Sequence, residues 1–568
     1  MSAPSPTVLA GGLIVDGTGS PPYIGDVVFD GDRIVAVGTE VSRPDGADVI
    51  DVSGAWVTPG LIDPHTHLDA QLCWDPTGSP SNGHGVTTVV MGLCGFGVAP
   101  CPPGGDEYLL RSLEVVEEIP YASAREGVPF GWTTWREYRD HISAQPLGVN
   151  VAGFVPHSAL RYFAMGDRAR DEVATAADID AMVDELLDAI DAGAIGFATS
   201  RGPNHVDSYG DPVPSRLAAD DELAALVDAC RDRLWQINVE TKFSHDATAL
   251  IAEVERYAEL SRSGGARMTW TPFYAEPGET VWSEVLAHNR ELNASGVEVA
   301  PQMTVVPITL LVRFDERSFV TAVPGWGEPL TGFFRLDREG KKARLADPEV
   351  RAQMKVAEGD PKNPLTPDFD LWTFTYAPSD PSVSGRPLAV IASERGEHPI
   401  DVLCDQVIAD DVRTLIDMPV LNRSLEGALA FLDDPLTVLG LGDSGAHVMS
   451  VTNYRYPTFL LGELVHRQGL VRLELAINRM TQRPAELHGL HDRGVLRDGA
   501  RADVCVIDPD RLKLLDVRIE NDLPGGIARL VQSGQGFRAV YVNGKKTIDH
   551  DVATGAAPGT FVHAGPVT

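Results

Sequence analysis

Two histidines separated by one residue, His65 and His67, follow an apolar segment and a Pro-Gly turn in the sequence PGLIDPHTH (residues 59–67). A β-strand directs residues i and i+2 to the same face, so both imidazoles at a strand end can bind one metal ion. Neutral imidazole is a good ligand for zinc and neighbouring divalent metals. A lone His-x-His pair seldom marks a metal site, but the preceding turn and apolar run favour one here.

A second candidate, Asp443, comes after the apolar segment 437–441 and is followed by small residues. A carboxylate at a strand end can ligate a metal ion and accept a proton from metal-bound water, whose pKa the metal lowers towards neutrality. The alternative is that Asp443 caps the next helix, which would be the better interpretation without the histidine pair. Together with that pair, Asp443 predicts metal-assisted hydrolysis.

Apolar strand-like segments alternate with amphipathic helices through the middle of the chain. The strand candidates are 86–91, 150–155, 194–198, 235–239, 268–271, 298–305 and 437–441, and the helix candidates are 177–192, 220–233, 247–262, 281–295 and 424–432. With the strand before His65 they make about eight βα units, the count of an α/β fold of the (β/α)8 TIM-barrel type. An open doubly wound sheet is the alternative.

The two ends of the chain contain short strand-like segments separated by glycine and Asn-Gly turns. We therefore predict a small β-sandwich domain formed by both termini. The N-terminal part of this domain is assigned to residues 1–58 and its C-terminal part to residues 481–568, which also include the final barrel helix. The barrel is assigned to residues 59–480. Residues 313–398 are too long for a simple βα loop. We interpret them as an insertion on the active-site side, either a lid or pocket wall or a peripheral addition.

Composition restricts the class of protein. Lys+Arg number 47 against 81 Asp+Glu, and the net charge of −34 argues against binding nucleic acid or an anionic membrane surface. No apolar run approaches the ~20 residues of a membrane span, and no secretory signal is visible at the N-terminus. Six cysteines in 568 residues do not make a disulfide framework. We expect a cytoplasmic protein, with a homo-oligomer as the default state.

Motifs along the whole chain resemble those of the amidohydrolase superfamily, specifically its N-acyl-D-amino-acid deacylase branch (D-aminoacylase-like, amidohydrolase family 3). The similar segments are 11–17, 57–68, 85–95, 194–200, the Asp443 segment, 481–490, 493–496 and 499–503. The resemblance implies a metal-bearing (β/α)8 barrel flanked by a small β-sandwich made from both termini. It agrees with the fold inferred from the strand and helix pattern.

The resemblance also assigns roles to individual residues. His65 and His67 match the family's first-strand metal ligands, and Asp443 matches its last-strand ligand and general base. Cys94 matches a cysteine that ligates metal after the second strand in this branch. A thiolate ligand is chemically reasonable because metal binding deprotonates it. The alternative for Cys94 is a buried small apolar residue.

The chain departs from the family at the fifth and sixth strands, where the family places histidines. Glu240 stands near the fifth-strand position with Lys242 close by, and residues 267–272 contain no histidine. Glutamate binds zinc acceptably, although Glu240 could instead pair with Lys242. We predict one Zn2+ or another divalent transition metal per subunit. Its predicted ligands are His65, His67 and Asp443, completed by Cys94 or Glu240.

Polar residues after other predicted strands are candidate substrate-binding residues: His157, Arg201, His447 and Arg455. In the deacylase branch, an arginine in the loop after the catalytic aspartate grips the substrate carboxylate, and Arg455 occupies that loop. A guanidinium matches a carboxylate with two parallel hydrogen bonds. His157 lies in a segment similar to the branch's Gly-His-x-x-Leu-Arg and is either a substrate or oxyanion contact or a structural histidine.

The sequence thus predicts a hydrolase of a carbon–nitrogen bond, acting on a small molecule with a carboxylate. An N-acyl amino acid of possible D-configuration is the leading substrate, cleaved by Asp443-assisted attack of metal-bound water. A cyclic amide, imide or lactone is the alternative within the class. The alternative of another class is a barrel with an eroded metal site that binds a ligand or does non-hydrolytic chemistry.

Overall fold

Eight parallel strands follow one another around a barrel in the computed structural model, which describes residues 5–242, 244–271, 274–315, 319–356 and 365–566. Each strand pairs in parallel with the next one along the chain. The barrel strands, labelled β1 to β8, are Leu61–Asp63, Val86–Met91, Asn150–Gly153 (continued by Val155–Pro156), Phe197–Ser200, Leu234–Asn238, Arg267–Thr271, Val299–Met303 and Val438–Leu439.

Backbone hydrogen bonds between the loops after β1 and β8 join the two ends of this strand series. His67 N–H donates to the carbonyl of Ser444 (2.8 Å), and Asp443 N–H donates to the carbonyl of His65 (3.1 Å). The predicted (β/α)8 barrel is therefore confirmed. Its first and last strands meet beside His65, His67 and Asp443, the residues from which the sequence predicted metal chemistry.

Helices cover the outside of the barrel. They are Asp106–Val116, Tyr121–Gly127, Trp135–Ser143, His157–Met165, Ala176–Asp191, Asp220–Ala229, Ala247–Gly264, Val281–Ala294, Leu425–Asp433, Leu473–Met480 and Gln482–Leu487. The two longest helices, Ala176–Asp191 and Ala247–Gly264, begin at side chains that accept orphan backbone N–H groups, namely Thr175 and Asp246. Thr175 and Asp178 form a reciprocal capping box. Within the described ranges, no helix is long and apolar enough to cross a membrane.

Both chain ends contribute to one nine-stranded sheet, the β-domain predicted from the termini. Its strands are Thr7–Ile14, Tyr23–Asp30, Arg33–Gly38, Asp48–Asp51, Trp56–Pro59, Val504–Ile507, Phe537–Val542, Lys545–Asp549 and Val552–Ala553. Trp56–Pro59 pairs with Val504–Ile507, which joins the N-terminal and C-terminal halves. The strand Trp56–Pro59 leads directly into β1, so this sheet holds the start of the barrel in place.

A buried carboxylate, Asp503, fixes the sheet to the barrel. It accepts hydrogen bonds from Asn150 Nδ2 on β3 (3.0 Å), Arg493 Nη1 (3.0 Å) and the backbone N–H of Asn543 (2.7 Å). A buried charge is tolerated only when it is paired and hydrogen-bonded in this way. The Gly-Ala-Arg-Ala-Asp segment of the sequence is therefore structural in this chain.

The insertion after β7 has its own sheet and its own apolar core. Its strands are Ile308–Arg313, Thr373–Tyr376 and Leu415–Leu421, and its helices are Arg338–Ala346, Pro348–Lys355, Leu388–Arg395 and Pro399–Ala409. The predicted limits of 313–398 were too narrow, because the first and last of these strands pair with each other across the whole unit. Both strands start or end at the mouth of the barrel.

Candidate active site

The two histidines lie just beyond β1, at the carboxyl ends of the barrel strands, and both are buried. His65 Nδ1 is 2.7 Å from Gln302 Oε1 on β7. Because an amide oxygen only accepts hydrogen bonds, this contact keeps the proton on Nδ1 and leaves Nε2 as a free electron-pair donor. Burial lowers the pKa of His65, with Asp443 opposing it, so the neutral form needed in a metal ligand is favoured.

Cys94 follows β2 and places its sulfur against the histidine pair. Its Sγ is 3.4 Å from His65 Nε2, and the backbone is in a left-handed conformation with φ of 54°. Two side chains of β5 hold this turn: Gln236 Oε1 accepts the Cys94 N–H (3.0 Å), and Asn238 Nδ2 donates to Sγ (3.6 Å). Burial, reinforced by the negative charges of Glu117 and Asp443, raises the pKa of the Cys94 thiol.

Asp443 reaches the same point from the loop after β8. Its Oδ1 is 3.5 Å from His65 Nε2 and 3.9 Å from His67 Nε2. The preceding residue has to be glycine, since a Cβ on Gly442 would lie 2.0 Å from Oδ2 of the buried Asp63. Asp63 also accepts the backbone N–H of His65 (3.2 Å). A carboxylate at the end of β1 thus sets the approach of the β8 loop to the histidines.

The donor set suits a single divalent transition metal. Ligand atoms of His65, His67 and Cys94 all lie within 4.8 Å of one another and are buried. In tetrahedral zinc sites, Zn–N and Zn–S bonds of about 2.0 and 2.3 Å put neighbouring ligand atoms roughly 3.5 Å apart. The 3.4 Å separation of His65 Nε2 and Cys94 Sγ matches that spacing. Imidazole, thiolate and carboxylate together are the ligands that zinc prefers.

Glu117 stands behind this trio and was not identified from the sequence. Its Oε1 is 3.3 Å from His67 Nδ1, although the angle lies outside hydrogen-bond geometry. Burial, reinforced by Asp443 and opposed by His447, raises the pKa of Glu117 to about 8. A carboxylate behind a ligating imidazole orients the ring towards its metal.

Glu240 does not reach the ligand trio, contrary to the expectation from its place near the family's fifth-strand histidine. The strand β5 ends at Asn238, and the chain then turns so that Glu240 is exposed and its N–H donates to Glu253 (2.8 Å). The side chain that faces Cys94 from β5 is instead Asn238. Counting strand parity from Gln236 would have identified Asn238, because both point to one face.

Three of the four predicted substrate-binding residues make structural contacts instead. His157 is buried between Thr199 and Glu222, with both ring nitrogens 2.8 Å from an oxygen. Arg201 donates to the backbone carbonyls of Arg216 (2.6 Å) and Ala218 (2.5 Å).

Arg455 is also not among the residues that line the cavity. Its Nη1 donates to Thr452 Oγ1 and Gln532 Oε1, both at 3.0 Å. Gln532 comes from the C-terminal part of the chain, so sequence proximity to Asp443 could not show that this arginine is already held. Of the four predicted substrate-binding residues, His447 lines the cavity at the ligand trio.

The His447 imidazole is protonated at neutral pH. Burial opposes protonation, but the ion pair with Glu118 (3.6 Å) and the charges of Glu117 and Asp443 outweigh it and raise the pKa of His447 to about 9. A second cation, Lys242, lines the same cavity, and burial lowers its pKa to about 8. The cavity therefore contains two basic side chains, His447 and Lys242, beside the carboxylates of Glu117, Glu118 and Asp443.

The cavity has a volume of about 220 Å³ and joins the ligand trio to the insertion. Its polar lining includes Asn204, His205, Asn238, Lys242, Tyr274, His447 and Asn453. Its apolar lining includes Ile308, Leu310, Val420 and Leu421 of the insertion. The insertion is thus a pocket wall, one of the two roles considered for it from its length.

Comparison with known proteins places this architecture in context. A family model described as "Amidohydrolase family" matches residues 48–322 and 407–548 and omits most of the insertion. The N-acyl-D-aspartate deacylase of Alcaligenes xylosoxydans xylosoxydans is 28% identical over 565 residues, which cover 98% of this chain and 95% of that protein. The D-aminoacylase of the same organism is 29% identical over 572 residues, covering 100% of this chain and 98% of that protein.

A solved structure gives the same relationship in three dimensions. The N-acyl-D-glutamate deacylase of Bordetella bronchiseptica, complexed with zinc and a phosphonate inhibitor that mimics the reaction's tetrahedral intermediate, is 26% identical. It superposes with a TM-score of 0.64, covering 98% of this chain and 99% of that chain.

Proposed function

Since the chain belongs to the amidohydrolase family, and so is a hydrolase of carbon–nitrogen bonds other than peptide bonds, we propose that it cleaves the amide bond of a small N-acyl amino acid. The observation that carries this proposal is the convergence of His65, His67, Cys94 and Asp443 at the mouth of the barrel. Relatives named as deacylases of D-amino acids support the D-configuration for the substrate. The cytoplasmic location and the homo-oligomeric state remain predictions.

The residues fit one zinc ion or another divalent transition metal, held by His65, His67 and Cys94 with Asp443 beside them. Such an ion would supply Lewis acidity, lowering the pKa of water and polarising the amide carbonyl. Gln302 keeps the His65 imidazole oriented from behind, and Glu117 lies 3.3 Å behind Nδ1 of His67.

Asp443 is assigned the role of general base and acid. It is the most exposed of the four convergent side chains and lines the cavity, so it can exchange protons with a molecule bound there. Its Oδ atom takes a proton from the attacking water and returns it to the nitrogen of the leaving amine. This transfer keeps the proton count of the enzyme unchanged over one cycle.

Recognition of the substrate carboxylate is assigned to Lys242 and His447, which replace Arg455 in this role. Lys242 and His447 both line the cavity, and Arg455 is not among the lining residues. The acyl group lies against the apolar wall formed by the insertion. A volume of about 220 Å³ is below the roughly 300 Å³ at which ordinary ligand pockets begin, which favours short acyl groups.

Replacing Lys242 with methionine is expected to raise KM for an N-acyl amino acid by about 10- to 100-fold, the value of a hydrogen bond to a charged group. The methyl ester of the same substrate lacks the carboxylate and should be affected far less. Steady-state kinetics with the acid and the ester measure this difference. An equal loss with both substrates would show that Lys242 does not bind the carboxylate.

A matched control is the lysine Lys341, which is also buried but lies in the insertion, where its Nζ donates to the carbonyl of Asp315 (2.6 Å). Lys341→Met removes a buried ammonium without touching the cavity. It should leave the KM for the acid within about three-fold of the wild-type value.

The proposed function is tested by metal analysis combined with a substrate panel. We expect purified protein to contain one equivalent of a transition metal, and chelation to lower amide hydrolysis by about 100-fold or more until zinc or manganese is restored. The panel contains N-acetyl-D- and N-acetyl-L-amino acids beside cyclic amides, and mass spectrometry identifies the products. Full activity after complete chelation would contradict metal-assisted hydrolysis, and cleavage of the L-series alone would contradict the D-configuration.

A further inference from the structure

A buried histidine that sequence patterns did not identify, His205, lines the cavity beside the ligand trio. It lies in the loop that follows β4 and is 6% exposed. Its ring packs edge-on against Phe96, with the ring centres 5.1 Å apart, and Phe96 comes two residues after Cys94. His205 therefore faces the substrate space from the side next to the Cys94 turn.

One ring nitrogen of His205 is held by a buried hydroxyl. Nδ1 is 2.6 Å from Ser200 Oγ at the end of β4, and Ser200 Oγ also accepts the backbone N–H of Gly202 (3.0 Å). Ser200 is fully buried, so its hydroxyl hydrogen needs an acceptor. Among the described residues, the acceptor that contacts the Ser200 hydroxyl is His205 Nδ1. Nδ1 is then unprotonated, and the proton of the neutral ring is on Nε2.

His205 Nε2 has no hydrogen-bond partner within the described ranges, while its residue lines the cavity. Burial, reinforced by the positive charges of Lys242 and His447, holds the pKa of His205 well below the usual range. The ring is therefore a neutral N–H donor with a free end at the substrate space.

We propose that His205 Nε2–H donates a hydrogen bond to the carbonyl oxygen of the scissile amide and stabilises the negative charge that this oxygen gains in the tetrahedral intermediate. The inference rests on the proposed amide hydrolysis. His205 keeps its proton throughout: the water oxygen bonds to the carbonyl carbon, the C–O π electrons move to oxygen, and the C–N bond breaks when nitrogen is protonated by Asp443. His205 is thus an oxyanion donor and neither an acid nor a ligand.

A neutral donor suits the carbonyl oxygen better than the carboxylate. The carboxylate has a full charge in every state and is matched by the cations Lys242 and His447. The carbonyl oxygen gains charge only along the reaction, and a fixed neutral donor in a buried site stabilises that change without binding the ground state more tightly. The Ser200 hydroxyl holds the donor in place before the substrate arrives.

The kinetic test compares two substitutions at this position. His205→Phe keeps a ring against Phe96 but has no N–H, and we expect kcat to fall by about 100-fold with KM within about three-fold of wild type. His205→Gln places an amide N–H at a similar reach and should recover about 10-fold of that loss. The same variants should weaken a phosphonate analogue of the intermediate in proportion to kcat/KM, while binding of the product amino acid stays constant.

His84→Gln is the matched control. His84 is equally buried and contacts Thr458 Oγ1 (2.8 Å) and the carbonyl of Gln532 (3.0 Å), outside the cavity. Thermal melting first shows that the His84→Gln variant is folded. The kcat of this variant should then stay within about three-fold of the wild-type value. An equal loss in His84→Gln and His205→Phe would assign the effect to packing and overturn the proposal.

The tautomer is measured without any substrate. The ¹⁵N spectrum of histidine-labelled enzyme, with the His205 signals assigned by their absence from His205→Gln, should show a neutral ring protonated at Nε2. A ring protonated at Nδ1, or a metal bound at Nε2, would overturn the proposal. If the wild type is active and His205→Phe has the same kcat, this inference alone is overturned. If the wild type cleaves no amide, the proposed function is overturned and this inference with it.

Discussion

Asp443→Asn is expected to lower kcat for amide hydrolysis by about 1,000-fold, within the range that general acid–base catalysis supplies. Asparagine keeps the size of the side chain and an oxygen near His65 and His67, so the fold and the metal content should be retained. It cannot take the proton of the attacking water or return it to the leaving amine. Stopped-time assays with an N-acyl amino acid measure kcat, and metal analysis of the same sample measures the metal content.

Glu240→Gln is the matched control for this substitution, since it also neutralises a carboxylate that the spacing had assigned to the site. Glu240 is exposed and outside the cavity, so its kcat should remain within about two-fold of wild type. If Asp443→Asn kept most of its activity while Glu240→Gln lost it, the placement of the catalytic carboxylate would be wrong. Loss of metal in Asp443→Asn would make this residue chiefly a ligand.

Local sequence was sufficient for the residues that follow apolar strands directly. His65, His67 and Asp443 lie within four residues of the ends of Leu61–Asp63 and Val438–Leu439, and the barrel brings all strand ends to one face. Cys94 required the resemblance to a family, because no pattern in residues 92–95 distinguishes a ligand from a buried apolar cysteine. Its left-handed conformation and its contact with Asn238 are products of the folded chain.

Residues at the ends of longer loops could not be placed in this way. Glu240 was assigned because it stands near the position at which the family has its fifth-strand histidine, but β5 ends at Asn238 and the chain then turns towards Glu253. Arg455 was assigned by its distance along the chain from Asp443, but a side chain almost eighty residues later occupies it. Loop conformations and distant partners depend on tertiary packing, which local patterns do not encode.

The insertion shows a similar limit. Its length marked it as more than a loop, yet its two outer strands, Ile308–Arg313 and Leu415–Leu421, are about a hundred residues apart and pair only in the folded state. Its apolar wall at the cavity therefore emerges from a long-range contact. The family model omits most of this segment, so the acyl preference of this chain has to be argued from its own residues.

Cys94→Ala is expected to weaken zinc binding by about 150-fold. A four-ligand zinc site is worth roughly 12 kcal/mol, and one ligand in four corresponds to about 3 kcal/mol. The distances support a share of this size, because Cys94 Sγ is 3.4 Å from His65 Nε2, the spacing of two ligands of one ion. Competition with a chromogenic chelator at fixed pH measures the affinity of both proteins.

Cys230→Ala separates ligation from packing in the same experiment. Cys230 is a fully buried cysteine of the apolar core, and burial raises its pKa to about 12. Both substitutions remove a buried sulfur and leave a comparable void. Only Cys94→Ala should lose zinc affinity. If the two variants bound zinc equally well, Cys94 would be a core residue, and the ion would have to be held by the histidine pair and Asp443 alone.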